Sequence, residues 1–584
     1  MAFLSGNEAI AQGAWEAGAH IGVAYPGTPS TETMEEFAKK DDVYAEWAPN
    51  EKVAVEVAVG AAAAGARVLA TMKHVGVNVA ADPLFTASYT GVNGGMLVLA
   101  ADDPGMFSSQ NEQDSRFYAH AAGLPMFEPS DSAEARRFAH DAYELSERFD
   151  TPFMIRTTVR TSHAKTVTEV GEREPVAVKP YEKDPSKWVM MPAFAKPRRV
   201  VQAARTEALN AWVDECDYNV REDRSTEIGI VCSGACYQYV RDAMPDASTF
   251  KLGVVWPLPK KSLEDFAAHV DALYVVDEAS DYLSSHVKAL GIHVADFVNP
   301  LPTCGEVSPL AIEYAFGKPL PPHEEMPGDV PGRPPALCPG CPHRPVFKEL
   351  SRLRAIVTGD IGCYTLGALP PLSAMDTTLD MGASISMAHG FELAMAGTEH
   401  RPIVGVIGDS TFGHSGLSSL LGTAYNRGTG TICILDNRTT AMTGQQGNPF
   451  NGVTLQHRVS REMNIERVVK ALGIEDVQTV DPHDVAAVRA ALKAAIANDD
   501  LSVIVFRAPC VLLDKKNRKP ACEVTNACTA CGSCIRIGCP ALSRDAGNGS
   551  ALIDPDLCIG CGDCAQYCKF DAIRVPVVKG ADNA

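Results

Sequence analysis

Short apolar runs separated by Ala-rich amphipathic stretches set the pattern of this chain. Runs at His20–Pro26, Arg67–Met72, Met96–Ala101 and Pro152–Thr157 read as buried strands, as do Ile228–Ser233 and Ala272–Asp277. Ala355–Thr358, Ile403–Ile407, Thr431–Leu435 and Val503–Arg507 continue the series. Continuous apolar runs of this length suit strands covered on both faces. With helical segments between them the pattern is βα repeated, which predicts an α/β fold of several doubly wound parallel-sheet domains. Met1–Gly22 reads as an amphipathic helix carrying Asn7, Glu8 and Glu16. Val53–Met72, interrupted by Glu56 and Arg67, predicts a buried helix running into a strand, not a membrane span.

Two composition breaks divide the series. Residues 171–199 are rich in Pro, Lys and Glu, and residues 317–345 are dense in proline, so both read as inter-domain linkers. A polar, basic stretch, Asp514–Pro520, leads into a cysteine-rich tail. The expected division is residues 1–170, a linker at 171–199, then 200–325, 326–512 and 520–584. At 584 residues the chain is too long for one core. A net charge of −20 argues against a nucleic-acid partner, because neutralising phosphates takes a basic face. Eighteen cysteines without a basic-then-apolar leader point to a reducing, cytoplasmic setting away from membranes.

Eight of those cysteines form two runs. One is Cys528-x2-Cys531-x2-Cys534-x4-Cys539-Pro540, the other Cys558-x2-Cys561-x2-Cys564-x3-Cys568. A Cys-x2-Cys-x2-Cys loop delivers three thiolates to one 4Fe–4S cube, and in two-cluster ferredoxins the fourth comes from the other run. One cluster would then take Cys528, Cys531, Cys534 and Cys568, and the second Cys558, Cys561, Cys564 and Cys539. Zinc ribbons, the alternative, pair Cys-x2-Cys with a distant second pair, not with triplets. The tail is therefore expected to be a small ferredoxin-like α+β domain. Cys338-x2-Cys341, Cys363 and Cys510 lie at predicted strand ends or domain edges, and their thiolates could gather into a third cluster. Cys216, Cys232, Cys236, Cys304 and Cys433 read as structural, and Cys522 falls outside the spacing of the runs.

Gly408-Asp409-Ser410 follows one predicted strand and Asp436-Asn437 the next. An acid and an amide at neighbouring strand ends can converge on one octahedral Mg²⁺ that also takes phosphate oxygens, and the glycine lets backbone approach those phosphates. This spacing resembles the thiamine diphosphate motif, with Ser410 where the motif carries its second glycine. On that resemblance Asp409, Asn437 and the Thr439 carbonyl hold the metal, and Gly408, Ser410 and Met442 border the cofactor. Thiamine enzymes also need a carboxylate beside the aminopyrimidine. Asn50-Glu51, nine residues before Gly60-Ala61, resembles the pyrimidine-binding helix, which makes Glu51 the expected activating acid and Glu56 the fallback.

The assembled stretches resemble the 2-oxoacid:ferredoxin oxidoreductases. They include Tyr25-Pro26-Gly27-Thr28-Pro29-Ser30, Met72-Lys73-His74-Val75-Gly76, Ser108–Arg116, Cys338-Pro339-Gly340-Cys341-Pro342-His343-Arg344, Gly359–Cys363 and the tail. The resemblance implies that residues 1–170 bind the thiamine pyrimidine, 200–325 are transketolase C-terminal-like and 326–512 bind diphosphate and Mg²⁺. It implies Cys338, Cys341, Cys363 and Cys510 as ligands of a third cluster near thiamine, Thr28 as a substrate-facing residue and Arg116 as holder of the substrate carboxylate. It further implies decarboxylation of an arylpyruvate, transfer of the acyl group to coenzyme A, and passage of single electrons through the clusters to ferredoxin. A smaller β subunit and a homodimer of this chain within an α2β2 assembly are the expected partners. A non-oxidative 2-oxoacid decarboxylase, and an oxidoreductase for another acid such as phenylglyoxylate, are the alternatives.

Overall fold

The computed structural model describes residues 1–322, 328, 330, 332, 334–397, 401–513 and 518–576. The chain divides into two compact units, residues 1–325 and 326–584. The stretch 514–520 expected before the tail lies mostly outside the described residues.

In the first unit a seven-stranded sheet runs Val254–Trp256, Met126–Phe127, Phe153–Thr158, Met96–Asp102, Val68–Lys73, Ile21–Ala24, Tyr44–Trp47. Every pairing is parallel except the first. The three central strands are buried along their whole length, as their predominantly apolar runs predict. A four-stranded sheet, ordered Ala272–Val275, Ile228–Ser233, Ser248–Leu252, Val220–Glu222, forms beside it. The chain changes sheets at Gly253, where a Cβ would stand 2.3 Å from the Tyr218 carbonyl oxygen. The expected 1–170 and 200–325 blocks thus share a strand.

Two expectations are corrected here. The N-terminus begins with a strand, Ala2–Ser5, which pairs antiparallel with Lys165–Thr168. The helix starts only at Gly6, because Ser5 and Glu8 close a capping box there. Nor is 171–199 a free linker. Its first half is bound to the N-terminal sheet layer, with Arg173 donating to the carbonyls of Trp15 and Ala19 and Lys179 N donating to Gly65 O. Its second half enters the helix Pro192–Val213. Proline density stopped regular structure at the start of this segment without removing its backbone and side-chain donors.

The second unit holds a five-stranded parallel sheet, ordered Ile356–Thr358, Ile403–Gly408, Thr431–Asp436, Ser502–Arg507, Asp476–Val480. Alternate residues feed opposite cores. Val404, Val406, Cys433 and Leu435 pack with the helices His343–Leu353 and Val485–Ile496. Ile407, Ile432 and Ile434 pack with Ala383–Met395, Leu417–Tyr425 and Ile465–Ala471. The tail adds two small antiparallel pairs, Glu523–Val524 with Ile573–Arg574 and Leu542–Arg544 with Ala551–Ile553. Among the described residues no helix is long and apolar enough to cross a membrane.

Candidate active site and electron path

Neighbouring strands of the second sheet end in the expected chemistry. Gly359–Cys363 leaves the strand Ile356–Thr358, Asp409 follows Ile403–Gly408, Asn437 follows Thr431–Asp436, and Cys510 follows Ser502–Arg507. All four segments leave the carboxyl edge of a parallel sheet, where ligands bind in such folds. Asp409 is 2% exposed and accepts a 3.0 Å hydrogen bond from Asn448 Nδ2. Burial, reinforced by the neighbouring Asp436, pushes its carboxyl up to about 7. Asp436 itself is engaged by Arg507 at 2.6 Å, so the charge left without a cation is that of Asp409. Asn437 Oδ1 accepts from Thr439 N, and Thr440 Oγ1 donates to Ser410 Oγ at 2.8 Å. Gly408 lies so close to the Tyr364 ring that a Cβ would meet it at 2.6 Å. Met442 stays 53% exposed on the turn beyond.

This edge suits a divalent cation and its phosphates: a buried carboxylate with one amide donor, a nearby amide and a glycine-backed approach. Among the described residues no trio of Cys, His, Asp or Glu is gathered tightly enough to grip an ion unaided. Asn448 was not foreseen, since nothing in a Gly-Asn-Pro turn advertises a partner 39 residues earlier.

The third cysteine set converges on the same edge. Cys341 and Cys363 each count Cys338 as an electrostatic neighbour, and Cys363 and Cys510 neighbour one another. Burial, with nearby sulfurs adding to it, raises the Cys341 thiol to about 12 and Cys363 to about 11. Cys510 N donates to Asn437 O at 3.0 Å, tying this set to the metal-type loop. Asp360, fully buried, accepts from the backbone of Gly382 and Ser384 and fixes the loop that carries Cys363.

In the tail both Cys-x2-Cys-x2-Cys loops turn through the left-handed region at matching places. These are Ala530 and Gly532 in one and Gly560 and Gly562 in the other. The crossing pattern is visible in the neighbours: Cys534 faces Cys528 and Cys568, while Cys561 and Cys564 face Cys539. Cys539, Cys558, Cys561 and Cys564, the set expected on one cluster, line one small pocket. Cys522 lines it too and was missed, because no spacing rule reaches it. Gly340, inside the Cys338–Cys341 turn, packs so tightly on Ile559 that a Cβ would stand 2.2 Å from its side chain. The buried Arg344 guanidinium ties the same turn to the segment before Cys539, donating to carbonyls of Cys338 and Ile537.

In the first unit four quoted stretches meet at the carboxyl edge of the seven-stranded sheet. Glu51 opens the helix Glu51–Ala63 behind an Asn50 cap and is 4% exposed. A Cβ at Gly76 would stand 2.6 Å from its carboxylate, so this close approach requires glycine. Glu56, the fallback, is exposed and paired with Lys52. Thr28 is half-buried in a loop held by Asn7, which donates to Pro29 O at 2.8 Å. Lys73 Nζ donates to Ser108 O, and His74 Nε2 faces Asn111 O.

Arg116 departs from expectation. It is completely buried, with Nε and Nη2 held by Asp114, Nη1 by Asp277 at 2.7 Å, and Glu278 O also accepting from Nη2. Most of its donors are engaged inside the protein, which speaks against the expected role of holding a substrate carboxylate. A sequence cannot show that Asp277, 161 residues away, will claim it.

Comparison with known proteins agrees with this layout. Residues 12–227 match the family model "Pyruvate flavodoxin/ferredoxin oxidoreductase, thiamine diP-bdg". Residues 360–506 match "Thiamine pyrophosphate enzyme, C-terminal TPP binding domain", and 551–574 the "4Fe-4S binding domain". A chain with these parts is a thiamine diphosphate-dependent, iron–sulfur 2-oxoacid oxidoreductase. The indolepyruvate oxidoreductase subunit IorA of Thermococcus kodakarensis is 40% identical over 99% of this chain and 97% of its own. That of Archaeoglobus fulgidus is 38% identical over 98% and 97%. The chain belongs to this family of IorA subunits. Among solved structures, a 2-oxoglutarate:ferredoxin oxidoreductase from Magnetococcus marinus is similar over 54% of this chain and 64% of that one, at 18% identity and a TM-score of 0.45.

Proposed function

We propose that this chain is the catalytic subunit of an enzyme that oxidatively decarboxylates arylpyruvates, indolepyruvate among them, passing the acyl group to coenzyme A and the electrons to ferredoxin. One observation carries the reading: the Asn437 backbone hydrogen-bonds Cys510, so a diphosphate-type loop and the thiols that would ligate an electron-accepting cluster share one sheet edge. A non-oxidative decarboxylase has no use for that junction. The names of the IorA relatives supply the aromatic acid.

Bound thiamine diphosphate would supply the electron sink that lets CO₂ leave, and 4Fe–4S clusters the one-electron steps. Asp409, Asn437 and the Thr439 carbonyl would hold Mg²⁺ and the diphosphate, with Gly408, Ser410 and Met442 around them. Glu51, buried against Gly76, would keep a proton at the aminopyrimidine nitrogen. Thr28 would orient the oxoacid. Cys338, Cys341, Cys363 and Cys510 would ligate a first cluster. Their turn packs on the loop of Cys558 and Cys561, which with Cys539 and Cys564 would ligate the next. Cys528, Cys531, Cys534 and Cys568 would ligate the last. A smaller partner subunit and pairing of this chain complete the proposed enzyme, with residues 1–170, 200–325, 326–512 and 520–584 as its working divisions.

The test is anaerobic purification with the partner subunit, followed by assay of ferredoxin or viologen reduction. Reduction that requires both indolepyruvate and coenzyme A supports the proposal. Aldehyde release without reduction sinks it.

A further inference from the structure

With Arg116 committed elsewhere, the substrate's carboxylate still needs a cation. We propose that the Lys73 ammonium holds it; this rests on the 2-oxoacid reading above. Lys73 is the last residue of the central strand Val68–Lys73 and emerges at the carboxyl edge of its sheet. Its neighbours there are the parts of the site. A Cβ on Gly27, the residue before Thr28, would touch Lys73 Cβ at 3.1 Å, and the helix that follows Lys73 brings Gly76 against Glu51.

The Lys73 side chain is 7% exposed, yet among the described residues its one hydrogen bond is to a neutral acceptor, Ser108 O, at 2.6 Å. An ammonium has three donors, and a buried charge without a counter-charge is costly. The acid beside it, Asp103, makes no ion pair with it among the described residues. Asp103 turns its oxygens instead to Ser108 N, Phe107 N and the Ser109 hydroxyl. Burial, partly offset by Asp103, brings the Lys73 ammonium down to about 8, and an incoming carboxylate would restore it. The other candidates at this edge are taken or neutral. Arg160 is clamped by Glu306 at 2.7 Å, and burial lowers the His74 imidazole. On the same loop as Ser108, Met106 and Phe107 stand exposed, apolar surface of the kind an aryl group would use.

The competing role is a strut: Lys73 merely ties Ser108 in place. Two non-reacting inhibitors separate the roles in the purified holoenzyme, 3-phenylpropionate and its neutral amide. Wild type should bind the acid more tightly than the amide. Lys73→Met should weaken the acid about 10- to 100-fold, the range of a charge-assisted contact, and leave the amide unchanged, while Lys73→Arg keeps most of the preference. Equal weakening of both inhibitors, or none for either, overturns the assignment. A second measurement needs no variant: 3-phenylpropionate, but not the amide, should protect Lys73 of the wild type from reductive methylation, and equal protection overturns the assignment too. If the wild type reduces ferredoxin with no 2-oxoacid at all, the activity reading fails first and takes this one with it.

Discussion

Arg116 in the first unit and Asp409 in the second are both buried charges, and their surroundings are opposites. Arg116 sits in a network with Arg156, Asp102, Asp114, Glu128 and Asp277 that joins three strand ends of two sheets. Burial opposes the Asp114 charge, but the two guanidiniums hold it well below the usual carboxylate range. Asp409 has an amide for a partner and another carboxylate for a neighbour. The first arrangement pairs acids with guanidiniums inside the protein and fixes architecture. The second has no ion pair among the described residues, and a bound divalent cation would supply one. Buried charge that is already satisfied marks the scaffold, and buried charge that is not marks the site.

Breaking the closed network should give the largest effect. Arg116→Met leaves Asp114 and Asp277 as neighbouring buried carboxylates, so urea denaturation should show a loss of about 3–5 kcal/mol. Asp409→Asn should do the reverse in protein stripped of metal and cofactor. Folded Asp409 titrates near 7 against an ordinary 3.8, so between these values the folded state keeps a proton that the unfolded state has released. Its contribution therefore makes stability fall as pH climbs from about 4 to about 7. Denaturation across that range should show a shallower decline in Asp409→Asn, together with lost oxoacid turnover. A steeper decline in the variant would contradict the contrast. Asn448→Ala, which removes the side-chain amide hydrogen bond to Asp409, should weaken Mg²⁺ about 10- to 100-fold in thiamine-reconstitution titrations.

How much of this was legible depends on whether the signal was local. All ten runs became parallel strands, because a strand buried on both faces is mostly apolar. Strands such as Tyr44–Trp47 and Asp476–Val480, which close the edges of their sheets, carry mixed residues and gave no such signal. At the site, the spacing of the cysteine runs foretold neighbours, since three thiolates on one loop is a local property. Asn448, Cys522 and the fate of Arg116 depend on contacts 39, 42 and 161 residues away, the distances from Asn448 to Asp409, Cys522 to Cys564 and Arg116 to Asp277. No short-range pattern encodes those. The segment 171–199 shows the converse error, composition read as freedom where specific donors bind it down.

The smallest expected effect is also the sharpest check on the contrast within one helix. Glu51 and Glu56 are about a turn apart and identical in charge, the first the expected acid and the second the fallback. Glu56 is paired with Lys52 at the surface, where an i,i+4 pair contributes a few tenths of a kcal/mol. Glu56→Gln should therefore shift the unfolding midpoint barely at all and leave oxoacid-dependent ferredoxin reduction intact. Glu51→Gln, nearly isosteric against Gly76, should preserve the fold and lower turnover about 10²- to 10⁴-fold, the range of a lost proton-transfer group. Comparable turnover in the two variants would mean that burial at this edge does not mark the catalytic acid.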